Sequence, residues 1–263
     1  MMCKTRCAKF AVFTLAFVAG CSDGKTAVAI DGPQAAIDGA IDAAPGVPQW
    51  FADLPVGQWA EVPGTTLTSV TTDAGPVGAG ILHDYNGLGL KRDDSTLIAF
   101  GGGHAGYSGN EVLGLTLAAA VPQWQVVVQP TPIADRVIAS NDQATPALWW
   151  GPAGQQKPNP PHTYNSLQFS TELGRAIWYG QTSVWNYSGT PPGGNMTLSV
   201  IWGARRWAQP GSAEDLGVAM ATRVTTQDPA GNVYVASGQR VFKHVPLTNT
   251  WTEIANNGSL NYS

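Results

Sequence analysis

The hexapeptide His83-Asp84-Tyr85-Asn86-Gly87-Leu88 returns 79 residues later as His162-Thr163-Tyr164-Asn165-Ser166-Leu167. The same offset places Leu97-Ile98-Ala99-Phe100-Gly101 on Ala176-Ile177-Trp178-Tyr179-Gly180, without a gap. Six of the 19 aligned positions are identical, where chance would give about one. The runs between the turns are short and rich in β-forming residues. This self-similarity predicts that one supersecondary unit recurs along the chain.

A third and weaker copy occupies residues 218–238, with the turn Asp228-Pro229-Ala230-Gly231-Asn232 between its two β-rich runs. Every copy then ends on a tryptophan that follows an apolar residue by nine positions. These pairs are Leu115 and Trp124, Leu198 and Trp207, and Phe242 and Trp251. The pattern of each repeat therefore predicts four short antiparallel strands, and the recurring tryptophans are predicted to pack in the core.

The segments Phe100-Gly101-Gly102-Gly103-His104 and Pro246-Leu247-Thr248-Asn249-Thr250-Trp251 resemble the kelch repeat. Residues 57–263 are thus similar to kelch and galactose-oxidase-type β-propellers. The resemblance implies an all-β fold in which each unit is one four-stranded blade. We count about three blades and expect an incomplete ring. Because Gln58-Trp59-Ala60-Glu61-Val62 reads as an orphan fourth strand, we expect a truncated chain or closure with another copy.

The composition of the 263 residues narrows the class of protein. Charged residues make up only 12%, whereas 24 residues are tryptophan, tyrosine or phenylalanine, which excludes a disordered chain. The 14 basic and 18 acidic residues give a net charge of −4, with no basic footprint for nucleic acid. We therefore expect no nucleic-acid partner.

The N-terminus has the form of a secretory signal. Basic residues precede an uncharged run at 10–20, which is too short for a transmembrane helix of about 20 residues. Val18-Ala19-Gly20-Cys21 resembles the lipobox of bacterial lipoproteins. The resemblance implies a signal peptide at 1–20, lipidation of Cys21 and a membrane anchor, with the domain at the outer membrane, facing the periplasm or the cell surface. The alternative is an ordinary signal peptide that happens to contain a cysteine.

Residues 21–56 are predicted to be a tether between the lipidated cysteine and the folded region. The segment repeats Ala-Ile-Asp crudely, and residues 22–48 contain three prolines and no aromatic residue. Such a composition buries too little apolar area to offset the entropy of ordering. We expect a flexible spacer; a short alanine-rich helix is the alternative.

Four residues of the repeat are candidates for a binding patch. His83 and His162 hold equivalent positions, as do Tyr85 and Tyr164, and the first strand of a propeller blade lines the central channel. They could hold a ligand there. The competing interpretation is that the Tyr and Asn residues close turns or hydrogen bonds between blades, since buried polar groups usually satisfy structure first.

Two long loops supply further candidates for ligand binding. Residues 129–161 contain Trp149-Trp150, and residues 181–196 contain Trp185-Asn186-Tyr187. Long loops in compact domains are often functional. Trp149, Trp150, Trp185 and Tyr187 could stack on a sugar ring, or they could serve packing.

No catalytic motif is present, and no cofactor or metal is predicted. The crosslink that galactose oxidase requires cannot form, because no cysteine follows Cys21. Two histidines a blade apart are too few for a zinc site, which usually takes three protein ligands in an enzyme. We expect a binding module for a protein or glycan. The alternatives are a carbohydrate-active enzyme or oxidase with its catalytic residues in missing blades, and an inactive truncated gene product.

Overall fold

A computed structural model of the chain describes residues 48–55, 57–59, 61–62, 64–67, 70, 86–101, 107, 109–136, 149–180, 197–217 and 224–256. The chain divides into two units, Met1–Pro63 and Gly64–Ser263, and each is described by itself. The unit boundary thus falls seven residues beyond the predicted start of the repeats.

The first unit contains one turn of helix, α1 (Gln49–Ala52), within the segment predicted to be a tether. The predicted signal peptide, Cys21 and the tether up to residue 47 lie outside the described residues. The predicted orphan strand is not formed at residues 58, 59, 61 and 62, which have no regular structure. Trp59 is 52% exposed, so about half of its side chain surface is open to solvent.

In its described residues, the second unit contains three four-stranded antiparallel sheets, each a meander in chain order. The first sheet contains β1 (Gly89–Lys91), β2 (Thr96–Ala99), β3 (Val112–Thr116) and β4 (Trp124–Val128). The second contains β7 (Leu167–Ser170), β8 (Arg175–Tyr179), β9 (Thr197–Ile201) and β10 (Arg206–Trp207). The third contains β11 (Val224–Gln227), β12 (Val233–Ser237), β13 (Arg240–Val245) and β14 (Thr250–Asn256). The all-β class and the four-strand unit are confirmed.

A separate two-stranded ribbon, β5 (Trp149–Trp150) and β6 (Lys157–Pro158), interrupts the connection between the first and second sheets. The offset of 79 residues also holds in the turns. Ser95 ends the β1–β2 turn with φ of 55°, and Gly174 stands at the matching place with φ of 61°. A residue in the left-handed conformation thus closes the first turn of both sheets, because a tight turn between twisted strands needs that conformation.

The core consists of apolar side chains that alternate between the two faces of each strand. Ile98 of the first sheet and Trp178 and Trp207 of the second share one buried cluster. Ile177 and Tyr179, on the opposite face of the second sheet, pack with Val233, Val235 and Phe242 of the third. The second sheet is therefore covered on both faces, as expected for sheets that stack face to face.

The first strands of the three sheets lie side by side. Strand β1 contacts β7, and β7 contacts β11. Asn165 forms a parallel bridge with Val224, and its carbonyl oxygen accepts hydrogen bonds from the Thr225 amide at 2.8 Å and hydroxyl at 2.9 Å. We call this row, made of β1, β7, β11 and the residues that lead into them, the inner edge.

Two glycines permit the close approach of β1 and β7 at the inner edge. A Cβ on Gly87 would lie 1.7 Å from the carbonyl oxygen of Tyr164. A Cβ on Gly101 would lie 2.5 Å from the carbonyl oxygen of Pro161, and the φ of Gly101 is 104°. Any side chain at either position would push the first two sheets apart.

Two of the three recurring tryptophans are buried, as predicted: Trp124 and Trp207. Trp251 is partly buried and packs at the edge of the cluster between the second and third sheets. The cross-strand position of this tryptophan differs between the three sheets. Trp124 lies opposite Leu115, nine residues before it, whereas Trp207 and Trp251 lie opposite Val200 and His244, seven residues before them.

We expect Gly101→Ala to lower the free energy of unfolding by about 3 kcal/mol, because the new Cβ both clashes with Pro161 and strains the backbone. Urea unfolding followed by circular dichroism measures the change. Gly203→Ala is the matched control, since no atom lies within 4 Å of its Cβ position, and it should stay within about 0.5 kcal/mol. Equal unfolding energies for the two variants would contradict the packing described.

Candidate functional site

The meander brings the long connections of the first two sheets to one end. In four antiparallel strands, the β2–β3 connection, the exit from β4 and the entry to β1 all lie at the same end. We call residues 86–88, 107, 109–111, 129–136 and 149–166 the connection end. Connections held by a rigid sheet scaffold are where binding residues are concentrated in many folds.

His162 and Tyr164 form a corner just before β7. His162 is almost completely buried, and its Nδ1 lies 3.1 Å from the hydroxyl of Tyr164. The two rings meet edge to face with 5.4 Å between their centroids. Tyr164 has φ of 43°, a left-handed conformation that is uncommon for a bulky residue. The structure thus brings together two of the four residues of the predicted binding patch, His162 and Tyr164. The other two, His83 and Tyr85, lie outside the described residues.

The residues next to this corner join the first two sheets. The Thr163 hydroxyl donates to Asn86 Oδ1 at 3.1 Å, and the Gly87 amide donates to the Thr163 hydroxyl at 3.3 Å. Asn165, the repeat equivalent of Asn86, links the second sheet to the third through its carbonyl oxygen. Asn86 therefore contacts the second sheet through its side chain, whereas Asn165 contacts the third sheet through its backbone.

The two loop tryptophans that the structure describes differ in their surroundings. Trp150 is 1% exposed, so its indole serves packing. Trp149 is half-buried and packs against the cluster between the first and second sheets. The two pair through β5 with β6, where Trp149 lies opposite Pro158. Trp185 and Tyr187 lie outside the described residues.

A buried amide ties three connections together. Asn110, which precedes β3, donates from Nδ2 to the Thr131 hydroxyl at 3.0 Å and to the carbonyl oxygen of Pro158 at 2.9 Å. Its Oδ1 accepts from the Thr131 amide at 2.7 Å. Asn110 is completely buried, so each of these bonds is made in a low-dielectric interior where it is strong and costly to lose.

A buried acid lies beside this amide. Glu111 and Tyr107 are both 0% exposed, and the Tyr107 hydroxyl donates to the Glu111 carboxylate. Arg136 is also buried, and its Nε donates to the carbonyl oxygen of Thr131 at 2.8 Å. Burial lowers the pKa of Arg136, and the electrostatic effect of the nearby Glu111 and Tyr107 side chains opposes that shift.

This polar cluster was not predicted from the sequence, in which Glu111 is a single acid outside any repeated motif. The partners Tyr107, Asn110, Thr131 and Arg136 come from two segments that are 20 residues or more apart. The one local signal was the polar dipeptide Asn110-Glu111 directly before an apolar strand.

A second buried polar cluster, also missed, lies between the second and third sheets. His244 on β13 is 0% exposed and stacks on Trp251 at 4.2 Å between ring centroids. The Tyr179 hydroxyl lies 2.9 Å from His244 Nδ1, and His244 Nε2 lies 3.1 Å from Asn249 Oδ1. Since the Asn249 amide donates to Leu216, its Oδ1 accepts, and His244 is neutral with the proton on Nε2.

Burial governs the titration of this cluster. Desolvation lowers the pKa of His244 below its ordinary value of 6.5, although the hydrogen bond to Asn249 opposes the shift. Desolvation also raises the pKa of Tyr179 well above its ordinary value. Both side chains are therefore neutral near pH 7. The cluster supplies hydrogen bonds to the interface between two sheets and no charge.

Within the described segments, no three histidine, cysteine, aspartate or glutamate side chains come together as a metal site. No helix in that part of the chain is long and apolar enough to cross a bilayer. No protein-family model matches the chain, and no curated protein sequence matches it significantly.

We expect the free energy of unfolding to fall when the pH is lowered from about 7.5 to about 5. Below 6.5 the unfolded chain binds a proton at His244 that the folded chain, with its lowered pKa, does not bind. The stability is therefore complete above 6.5 and is lost toward the lower folded pKa, at no more than about 1.4 kcal/mol per pH unit. Urea titrations at several pH values measure the slope.

His244→Gln is the control for this pH dependence, because glutamine does not titrate. The variant should be less stable at pH 7, and the contribution of His244 to the slope should be absent. An identical pH slope in the two proteins would show that His244 protonates equally in the folded and unfolded chains.

Proposed function

We infer that the chain is a lipid-anchored envelope protein whose connection end binds a protein or a glycan. The three sheets are, on this proposal, blades of a kelch-like β-propeller. Two observations support the blades. Each sheet is a four-stranded meander in chain order, and the first strands β1, β7 and β11 lie side by side, as first strands do around a propeller axis.

The observation that carries the binding proposal is the buried network of Asn110. Three separate connections, before β3, after β4 and at β6, are fixed to one another by hydrogen bonds to this single amide. Connections that lack regular structure would otherwise lose conformational entropy on meeting a ligand. A rigid, pre-organised surface avoids that cost, which is a general route to affinity.

The same cluster argues for binding over catalysis. Glu111 is fully buried and accepts a hydrogen bond from Tyr107, whereas a general acid or base must reach a substrate proton. The Glu111 carboxylate thus has a structural hydrogen-bond partner and is not accessible to a substrate. We therefore place the enzyme alternative behind the binding module.

The anchor part of the proposal rests on the sequence Val18-Ala19-Gly20-Cys21 and the composition of residues 21–56. A lipid on Cys21 would attach the chain to the outer membrane. A glycine- and proline-containing spacer would then hold the second unit away from the lipid surface, facing the periplasm or the exterior.

Lipidation predicts that Cys21→Ser abolishes incorporation of labelled palmitate and moves the chain out of the membrane fraction. Expression in a Gram-negative host with fractionation and labelling measures both. The chain provides matched controls in Cys3→Ser and Cys7→Ser, since both residues lie in the segment that is removed. Label that persists in Cys21→Ser would rule out this anchor.

If the loop tryptophans predicted from the sequence bind a glycan, Trp185→Ala or Trp149→Ala should weaken that glycan about 30-fold, the effect of losing an aromatic anchor of about 2 kcal/mol. The mature chain with Cys21→Ser is applied to a glycan array, and each positive glycan is titrated by calorimetry. Trp59→Ala removes an exposed tryptophan of the first unit and serves as control. Full binding by both loop variants would exclude these tryptophans as the site.

A further inference from the structure

A cleft of about 310 Å³ lies between the first and second sheets, at the end away from the connections. We call it the turn-end cleft. Its polar and aromatic lining residues are Asp94, Thr96, Thr116, Gln125, Trp202 and Arg205. They come from the β1–β2 turn, from one face of β2, β3 and β4, and from the β9–β10 turn. The cleft is separate from the surface proposed above, and its volume is at the lower end of the about 300–1,000 Å³ of small-molecule sites.

The floor of the cleft exists because β3 has a glycine at its centre. A Cβ on Gly114 would lie 3.1 Å from Val127 Cγ2 and 3.4 Å from Trp202 Cη2. The glycine therefore lets the indole of Trp202 reach the face of the first sheet. Trp202 is held in place from behind, because its ring meets Phe169 edge to face at 5.8 Å and its amide donates to Gly174 at 3.0 Å.

Carboxylate and hydroxyl groups line one side of the cleft. Asp94 lies 2.8 Å from Lys91 Nζ. Burial would raise the pKa of Asp94, but hydrogen bonds with Lys91 and Thr96 outweigh that effect and hold the pKa below its ordinary value of 3.8. The hydroxyls of Thr96 and Thr116 lie 2.8 Å apart. This side thus offers an ionised acceptor and hydroxyl groups already fixed by one another.

The other side of the cleft supplies donors. The side chains of Arg205 and Gln125 are exposed. Neither makes a side-chain hydrogen bond or ion pair with another residue in the described part of the chain. Arg205 also has φ of 52°, an uncommon left-handed conformation for a long side chain, which costs free energy unless the turn requires it.

We propose that the turn-end cleft binds a single neutral sugar ring. A pyranose offers hydroxyl groups that both donate and accept, and its apolar face of C–H groups suits an indole. Asp94 accepts from such hydroxyls, and Arg205 and Gln125 donate to them. The charged residues that line the cleft are one acid and one arginine. Their charges balance, so the lining suits a neutral, polyhydroxylated ligand.

The test uses the mature chain with Cys21→Ser and a panel of methyl glycosides of glucose, galactose, mannose and N-acetylglucosamine. Saturation-transfer NMR detects binding, and titration of tryptophan fluorescence gives the affinity. We expect at least one glycoside to bind saturably, with its ring C–H protons receiving the strongest transfer from the indole.

Arg205→Asn and Gln125→Ala should each weaken that glycoside about tenfold, the usual effect of losing one hydrogen bond with a charged or well-placed group. Asparagine tolerates the left-handed backbone at position 205, so the turn is preserved. Arg206→Gln is the matched control, since Arg206 pairs with Glu214 and does not line the cleft. It should bind as the parent does. Trp202→Phe retains packing on Phe169 and should weaken binding less than Trp202→Ala.

Three results would overturn the proposal. The first is no binding by any glycoside while the parent melts cooperatively. The second is binding that Arg205→Asn and Gln125→Ala leave unchanged and Trp149→Ala abolishes, which would place the sugar at the connection end. The third is binding of the zwitterion glycine betaine, competed by no glycoside, which would make the cleft an ion-pair site. A negative result at the turn-end cleft would not decide whether Cys21 is lipidated or whether the connection end binds a ligand, because separate experiments test those proposals.

Discussion

The close approach of backbones at the inner edge is the constraint on which the second unit depends. At Gly87 and Gly101 the first sheet has no side chain, and the carbonyl oxygens of Tyr164 and Pro161 occupy the space where a Cβ would be. Only this spacing lets Thr163 bond with Asn86 and lets the apolar faces behind the inner edge meet. The core between the first two sheets, with Ile98 against Trp178 and Trp207, follows from it.

The two ends of the sheets are held by different chemistry. At the connection end, a buried network around Asn110 and Glu111 fixes long segments, and its polar groups are turned inward. At the turn end the segments are short, and polar groups such as Gln125 and Arg205 are turned outward. Buried polar groups give rigidity, whereas exposed ones can be offered to a ligand. One scaffold can therefore present two different surfaces.

The sequence predicted the repeated unit because a four-stranded meander is local: its strands, turns and tryptophans follow in order within about 45 residues. The offset of 79 residues located β1, β2, β7 and β8. The structure adds that the turn residues Ser95 and Gly174, which the same offset relates, are both left-handed. The prediction of an orphan strand was wrong at residues 58, 59, 61 and 62, which have no regular structure, because a short alternating run does not by itself specify a strand. The polar clusters could not be predicted, since Asn110 meets Thr131 only because the chain after β4 returns beside the start of β3. His244 lies under Trp251 because of a cross-strand register that spacing alone does not give.

The coverage of the second sheet on both faces has a consequence for how the protein opens. In stacked repeats, each sheet is stabilised mainly by its immediate neighbours. The second sheet has two such interfaces, whereas β14 of the third sheet has exposed side chains along nearly its whole length. Transient openings will therefore begin at the third sheet and move inward, and the amides of β8 and β9 will exchange with solvent only in the rarest openings. Local unfolding thus starts at the third sheet and reaches the second sheet last.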